Sequence, residues 1–408
     1  MNMSLRHSAF NILQTITLFL LFFAGLNVGN AYFYWCFIAT FVFIALRRTV
    51  IVDMQTVSLL ILSLSWFLFS PDMETVSLTA IIKPFLYPMA YVAGRSFFMG
   101  SDQLHYDRKQ KMVMPIFVVL SLGPFLHYFL NYLKNWDSIN RNTVDIWTGT
   151  ILSATNQAAL GCMMLGIALS LLFLDIPKYM KALSIGSLII IFLYNLILSG
   201  RTLFIMAALI ILVCIVYNFV TTRSVGKKFK IISLVLILGV VFYFIYIYNL
   251  FGIKTYIEKS NIYLRFLNKS DEYIYTSERV QFKIDYLKNF MFGLWGRGRI
   301  KAIVGRYAHD LFLDTYDEAG IFALIGVLYF MIRSIRTLLK CLRNDTIDFK
   351  IRLTMLAVYI SLYSEFLIEP ILQGVPWLFT FFCFIHGIME NICGDFDSGE
   401  RKDVHKME

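Results

Sequence analysis

The stretch "GRYAHDLFLDTYDEAGIFALIGVLYF", residues 305–330, sets His309, Asp310, Asp314, Asp317 and Glu318 just ahead of an apolar run. Histidine titrates closest to neutral pH, so it is a candidate for chemistry. Upstream, Arg279, Arg297, Arg299, Lys301 and Arg306 crowd into residues 277–307, and Arg201 stands in "LILSGRTLFIM". Guanidinium forks engage phosphate oxygens two at a time. Such a set of arginines is a field for a polyanion. Each residue also has a plainer reading. Arg201 can hug lipid headgroups, His309 can sit idle at a helix end, and the carboxylates can cap the helix that follows. For Asp310, capping is the stronger reading. Glu318 either orients His309 or caps the helix. Lys83, inside an apolar block and before Pro84, can snorkel outward, although charge within a span is a functional hypothesis by default.

The elements that position these residues follow from composition. The 408 residues are 58% hydrophobic and 16% charged, where a soluble domain carries about 25% charged residues. The excess comes as apolar blocks of roughly 17–22 residues, long enough to cross the hydrocarbon of a bilayer. Continuous blocks of that kind span as helices. The sequence therefore predicts an all-α polytopic membrane protein with about 12 transmembrane helices. They fall near 10–26, 29–46, 54–70, 76–94, 112–131, 156–175, 183–199, 202–220, 231–249, 317–334, 353–368 and 375–391. Glu365, Glu369 and Pro370 make the last two less regular. The first block follows "MNMSLRH" and reads as a retained signal anchor.

The domain plan is spans 1–9 over residues 1–249, one cap loop over 250–316, spans 10–12 over 317–391, and a tail over 392–408. In the cap, Val280, Ile284, Leu287 and Phe290 recur at helical spacing, so it reads as a small folded helical unit. From Asn249 to Ala308 the loop carries a net charge of +6. The six cysteines lie in apolar spans or in segments placed inside; neither a disulfide framework nor a zinc site is expected.

The net charge of +10 suggests nucleic acid only if the chain is soluble. With both termini inside, twenty-two lysines and arginines face the cytoplasm and three (Lys134, Arg141 and Arg201) lie in short outer loops. The positive-inside rule then accounts for most of the charge, and the cap is extracytoplasmic.

Three segments in order, "LILSGRTLFIMAALIIL", "SERVQFKIDYLKNFMFGLWGRG" and "AHDLFLDTYDEAGIFALIG", together resemble the O-antigen polymerase and O-antigen ligase superfamily. Ser199-Gly200-Arg201 matches the outer-face turn of that superfamily. Ser277-Glu278-Arg279, with Gly293, Gly296 and Gly298, matches its second motif. His309, Leu313, Glu318 and Gly320 match its third, and "SATNQAALGCMM", with Asn156, is a weaker feature. Two departures stand out: Asp310 where the ligases carry Asn, Ser or Gln, and no proline in the glycine-rich turn. The resemblance implies a GT-C-like membrane glycosyltransferase that acts on glycans carried by undecaprenyl diphosphate. His309, Arg201 and Arg279 would be catalytic. Arg297, Arg299, Arg306, Lys83, Asn156 and Glu318 would bind substrate.

The reaction so implied polymerises lipid-linked repeat units into O-antigen or a related surface polysaccharide, on the outer face of the bacterial inner membrane. It needs no metal and no cofactor, because the diphosphate already leaves well. Its partners would be the lipid-linked glycan, the bilayer and a polysaccharide chain-length regulator, with no nucleic acid. Two alternatives stay open. One is a ligase that moves the glycan to lipid A-core. The other is a lipid-linked glycan transporter, which predicts inverted repeats and broken spans. An ordinary histidine base implies activity falling below about pH 6.

Overall fold

The computed structural model describes residues 3–47, 50–71, 78–98, 106–136, 142–198, 200–222 and 278–404, with scattered positions between 226 and 258. The described chain is mostly helical. Six helices are long and apolar enough to cross a membrane: Lys109–Lys134, Ala154–Leu172, Lys178–Ile197, Thr202–Thr221, Leu311–Arg343 and Pro376–Cys393. Ile12–Leu26, Tyr32–Leu46 and Met54–Phe69 are apolar but shorter. The protein is thus a helical chain of membrane type.

In chain order the helices are α1 (Met3–Leu26), α2 (Tyr32–Leu46), α3 (Met54–Phe69), α4 (Leu78–Ile82), α5 (Leu86–Arg95), α6 (Tyr106–Lys134), α7 (Ala154–Leu172), α8 (Lys178–Ile197), α9 (Thr202–Thr221), α10 (Glu278–Lys288), α11 (Arg299–Val304), α12 (Leu311–Arg343), α13 (Phe349–Phe366), α14 (Ile371–Gly374) and α15 (Pro376–Val404). The block expected as one span over 76–94 is split. Lys83–Phe85 forms a 3₁₀ turn between α4 and α5, because Pro84 withholds a backbone donor there. Span nine, over 231–249, lies largely outside the described residues, as does the cap over 259–277. The helix expected to begin at 317 begins at Leu311, so the end of the expected cap is already helical.

The chain divides into two compact units. The first comprises residues 1–128, 278–352 and 362–408. Its frame is α3 on α12 and α5 on α15. Both crossings run through glycine. A Cβ at Gly326 would meet the Ser58 carbonyl at 2.5 Å, and side chains at Gly94 and Gly387 would strike the backbones of Phe384 and Tyr91. Small residues let helices approach this closely where lipid gives no hydrophobic drive. Cys341 of α12 and Cys393 of α15 are joined as a disulfide, against the expectation of separate thiols. Their helices bring the two Cα atoms to 6.2 Å, a proximity that residues 52 apart in sequence do not announce.

The second unit comprises residues 129–277 and 353–361. Here α7 packs on α8 and α9, beside a two-stranded antiparallel hairpin that pairs Asn142–Val144 with Ile151–Ser153. Asn131 of α6 binds the Gln157 side chain and the Ile146 amide. Gly166 lets residue 357 pass close by, and Ser170 bonds Thr354 at 3.1 Å. Ile185, Ile189, Ile205, Leu209 and Leu212 stay exposed on α8 and α9, as lipid-facing side chains of a span do.

Candidate active site

The site is built where α12 begins, in the first unit. Asp310 adopts an extended backbone and its Oδ1 accepts from the amides of Phe312 and Leu313, which makes it the N-cap expected of it. Immediately before it, His309 has φ 56°, in the left-handed region. A non-glycine residue pays about 1–2 kcal/mol for that conformation. Asp314, one turn into α12, holds it in place. Its Oδ1 accepts from the Ala308 amide at 2.7 Å and its Oδ2 from the Asp310 amide at 2.9 Å. One buried carboxylate thus grips the backbone on both sides of His309. A hydrogen bond contributes about 0.5–1.5 kcal/mol, so the two together are enough to offset the strain.

Asp317 does a similar job for the preceding helix. Its oxygens accept from the amides of Ile300 and Lys301, at 2.6 and 3.0 Å, and from the Tyr286 hydroxyl at 3.4 Å. Burial next to these carboxylates drives the Tyr286 phenol far up from its ordinary range, so it stays a donor. Next, α12 breaks at Gly320, with φ 81° and ψ −173°. The glycine-rich turn splices into the break. The Ile321 amide donates to the Leu294 carbonyl, the Arg297 amide to the Glu318 carbonyl and the Gly298 amide to the Asp317 carbonyl. Backbone groups released by the break are therefore met by the turn, as buried backbone requires. The fit needs glycine at 296, where a Cβ would lie 2.5 Å from the Glu318 carbonyl oxygen. Tyr316 stacks on Phe290, with ring centroids 4.1 Å apart, and closes the small core beneath.

Cations are aimed at this platform from α10. Arg279 and Lys283 stand four residues apart, so they share one face. Arg279 donates to the Ile368 carbonyl at 2.8 Å and to Glu369 Oε1 at 3.1 Å. Lys283 donates to the Leu367 carbonyl at 2.7 Å and to Asp310 Oδ2 at 3.0 Å. Both thus cover carbonyls just past the C-terminal end of α13, a placement the helix dipole favours. Arg306 is exposed and lies over the Phe282 ring at 5.3 Å.

His309 sits among these groups with 28% of its side chain exposed and Nδ1 turned inward. Nδ1 lies 3.9 Å from Glu369 Oε2, too far for a hydrogen bond. Burial, then the charges of Arg279, Lys283 and Arg306, pushes the imidazole down to about 4. Glu369 does not reverse this, since Arg279 already shares its charge. The ring is therefore neutral over the physiological range. The acid limb implied by an ordinary histidine, near pH 6, moves down accordingly.

The expected site residues separate into groups. His309 and Arg279 come together, and Arg306 adds its charge to them. Arg297 and Arg299 are exposed at the glycine-rich turn, and the Arg297 backbone is left-handed with φ 67°. Glu318 is buried and its Oε2 lies 3.5 Å from Ser70 Oγ; the carboxylate that faces His309 belongs to Glu369. Lys83 has its Nζ 6.0 Å from the Trp66 ring centre. Arg201 and Asn156 belong to the second unit, Arg201 at the N-cap position of α9 and Asn156 in the first turn of α7. Gly200 is held by Asn195, whose Nδ2 donates to the Gly200 carbonyl at 2.7 Å. Ser199 and Ser277 lie outside the described residues.

Sequence reading missed Lys283, Glu369 and Glu365 as members of the site. Glu365 is fully buried, and neither of its oxygens has a hydrogen-bond partner among the described residues. The signal was present in "SEFLIEP": two carboxylates in an otherwise apolar block are a functional flag. No family model matches the chain, and no curated protein matches it.

Proposed function

We propose that this protein is a membrane glycosyltransferase that polymerises undecaprenyl-diphosphate-linked oligosaccharide repeat units into surface polysaccharide. The single observation that carries the reading is the setting of His309. It is a neutral histidine locked in a left-handed turn, ringed by Arg279, Lys283 and Arg306 and backed by Glu369 at 3.9 Å. The three ordered motifs of the sequence support the same reading.

In the reaction so proposed, an acceptor sugar hydroxyl attacks the anomeric carbon of the donor glycan. The new C–O bond forms as the bond from that carbon to the diphosphate breaks, and the electron pair leaves on undecaprenyl diphosphate. With Nδ1 facing inward, Nε2 of His309 is the nitrogen that takes the hydroxyl proton. Glu369, behind Nδ1, favours the imidazolium as it forms, as an orienting carboxylate does in other histidine bases. Arg279, with the charges of Lys283 and Arg306, stabilises the negative charge that develops on the departing diphosphate. Arg201 takes its phosphate-binding role on the resemblance alone.

The reading includes twelve spans, an extracytoplasmic cap and cytoplasmic termini. It places the reaction where a membrane-held diphosphate meets water. Glycan analysis of a deletion strain tests it. Single repeat units on lipid A-core support the polymerase. Polymer stranded on undecaprenyl diphosphate supports a ligase instead. Unchanged surface glycan overturns both.

A further inference from the structure

At the far end of α12, away from His309, a second cluster of cations lines a cavity. Leu311 and Arg336 are 25 positions apart, roughly 35 Å along a helix despite the break at Gly320. The cavity has a volume of about 250 Å³ and lies wholly within the first unit. Arg95 of α5, Arg333, Arg336, Thr337 and Lys340 of α12, and Glu390 and Cys393 of α15 form its wall. The α12 residues recur at intervals of three and four, so one helix face presents them together.

Among the described residues, cations outnumber carboxylates in the cavity. Glu390 is its one acidic wall residue, and it is already engaged: Oε1 accepts from Gln55 Nε2 at 2.8 Å and from the Thr337 hydroxyl. Asp53 lies 3.7 Å from Arg95 Nε, beyond hydrogen-bond reach. Among the described residues, two carboxylates thus face three arginines, with Lys340 beside them. The Nε atoms of Arg95 and Arg333 are buried and have no hydrogen-bond partner among the described residues. A buried donor left without an acceptor is costly, and the cost is relieved when a ligand supplies one. The positive-inside rule accounts for arginines at a helix end. It does not account for their convergence from two helices on one cavity, with the Nε donors of Arg95 and Arg333 buried.

We infer that this cavity is a binding site for a phosphate-bearing anion, gripped by Arg95, Arg333 and Arg336. Planar guanidinium donors on several sides fit a tetrahedral oxyanion. Two sources carry that chemistry, free phosphate and the headgroup of an anionic phospholipid. The inference stands apart from the glycan reading, since none of its residues belongs to the His309 site.

The test uses the full chain in detergent and in nanodiscs. In the first arm, the thermal midpoint is followed against inorganic phosphate, with chloride at matched ionic strength as control. In the second, native mass spectrometry counts phosphatidylglycerol retained from nanodiscs of phosphatidylglycerol and phosphatidylcholine. Each arm compares the parent with Arg333→Gln/Arg336→Gln, and with Arg343→Gln/Lys350→Gln, exposed cations outside the cavity. A charge-assisted bond contributes about 1.5–3 kcal/mol, so each lost arginine should weaken binding by roughly ten- to a hundredfold. A saturable phosphate shift lost only in the 333/336 variant supports a free-phosphate site. Lipid retention lost only in that variant supports a headgroup site. Absence of both effects, or equal loss in the two variant pairs, overturns the proposal. If the double variant does not fold, Arg336→Gln alone, at an exposed position, carries the same comparison.

Discussion

Replacing Arg279 with alanine is expected to move the His309 titration midpoint from about 4 to the ordinary histidine range or beyond. The starting displacement, from 6.5 to about 4, corresponds to roughly 3 kcal/mol at about 1.4 kcal/mol per unit. Burial is its first cause and the Arg279 charge its second. The substitution removes that charge and the 3.1 Å contact it makes with Glu369, which lies 3.9 Å from Nδ1. At an effective dielectric constant of about 20, a full charge pair at that distance is worth about 4 kcal/mol. That exceeds the original displacement, so the imidazolium becomes the favoured form near neutrality. The assay is NMR of ¹³Cε1-labelled histidine in detergent, with His309 identified among the six histidines as the resonance lost in His309→Gln. A midpoint still near 4 in Arg279→Ala would refute the Arg279 account and leave burial, with the Lys283 and Arg306 charges, as the cause. Stability follows with a definite sign. The folded midpoint lies below the unfolded one, so between pH 6.5 and about 4 the unfolded chain binds more protons. This group therefore costs the folded state about 3 kcal/mol as pH falls through that window. Arg279→Ala should abolish that loss. In the same reading a bound diphosphate neutralises the same cations, so the acid limb of kcat should lie at higher pH than that of kcat/KM.

The other expectations concern single contacts. His309→Ala and His309→Gln should each lose about 10²–10⁴-fold in turnover with donor still bound; a purified variant with parental kcat would remove the histidine from the mechanism. Asp314→Asn leaves one oxygen to serve two amides, so thermal stability should fall by about 1.5–3 kcal/mol, along with activity; an unchanged melting point would show that the grip on His309 is unimportant. Gly296→Ala should cost about 1–3 kcal/mol and exceed Gly305→Ala, whose φ is also positive but whose Cβ meets open space; equal losses would exclude the close approach to Glu318 as the cause. Arg201→Ala should abolish polymer at normal protein level, and Arg201→Lys should rescue it poorly; full activity of the lysine variant would contradict a fork-like phosphate contact.

The sequence by itself determined the solvent and the predominantly helical character. Apolar blocks of membrane-crossing length dictate helices, because backbone groups in hydrocarbon must be satisfied within the segment. Composition alone carries that information, so the helical, membrane-type character was legible from any one block. His309 and Arg279 were legible as candidates for a related reason: charge at the edge of an apolar run is costly and calls for a cause. What only the tertiary structure decided is which charges meet. Asp314, Asp317 and Glu318 look equivalent in sequence, spaced along one run of seven residues from 312 to 318. In the fold, the first clamps the backbone around His309, the second caps α11, and the third lies near Ser70 at the end of α3. The residue that faces His309 is Glu369, sixty positions away, because α10 ties residues 367–369 to the start of α12 through Arg279 and Lys283. No periodicity encodes that meeting. It follows from the packing of three helices and from the break at Gly320, where a turn made of glycines can reach buried backbone that any side chain would block.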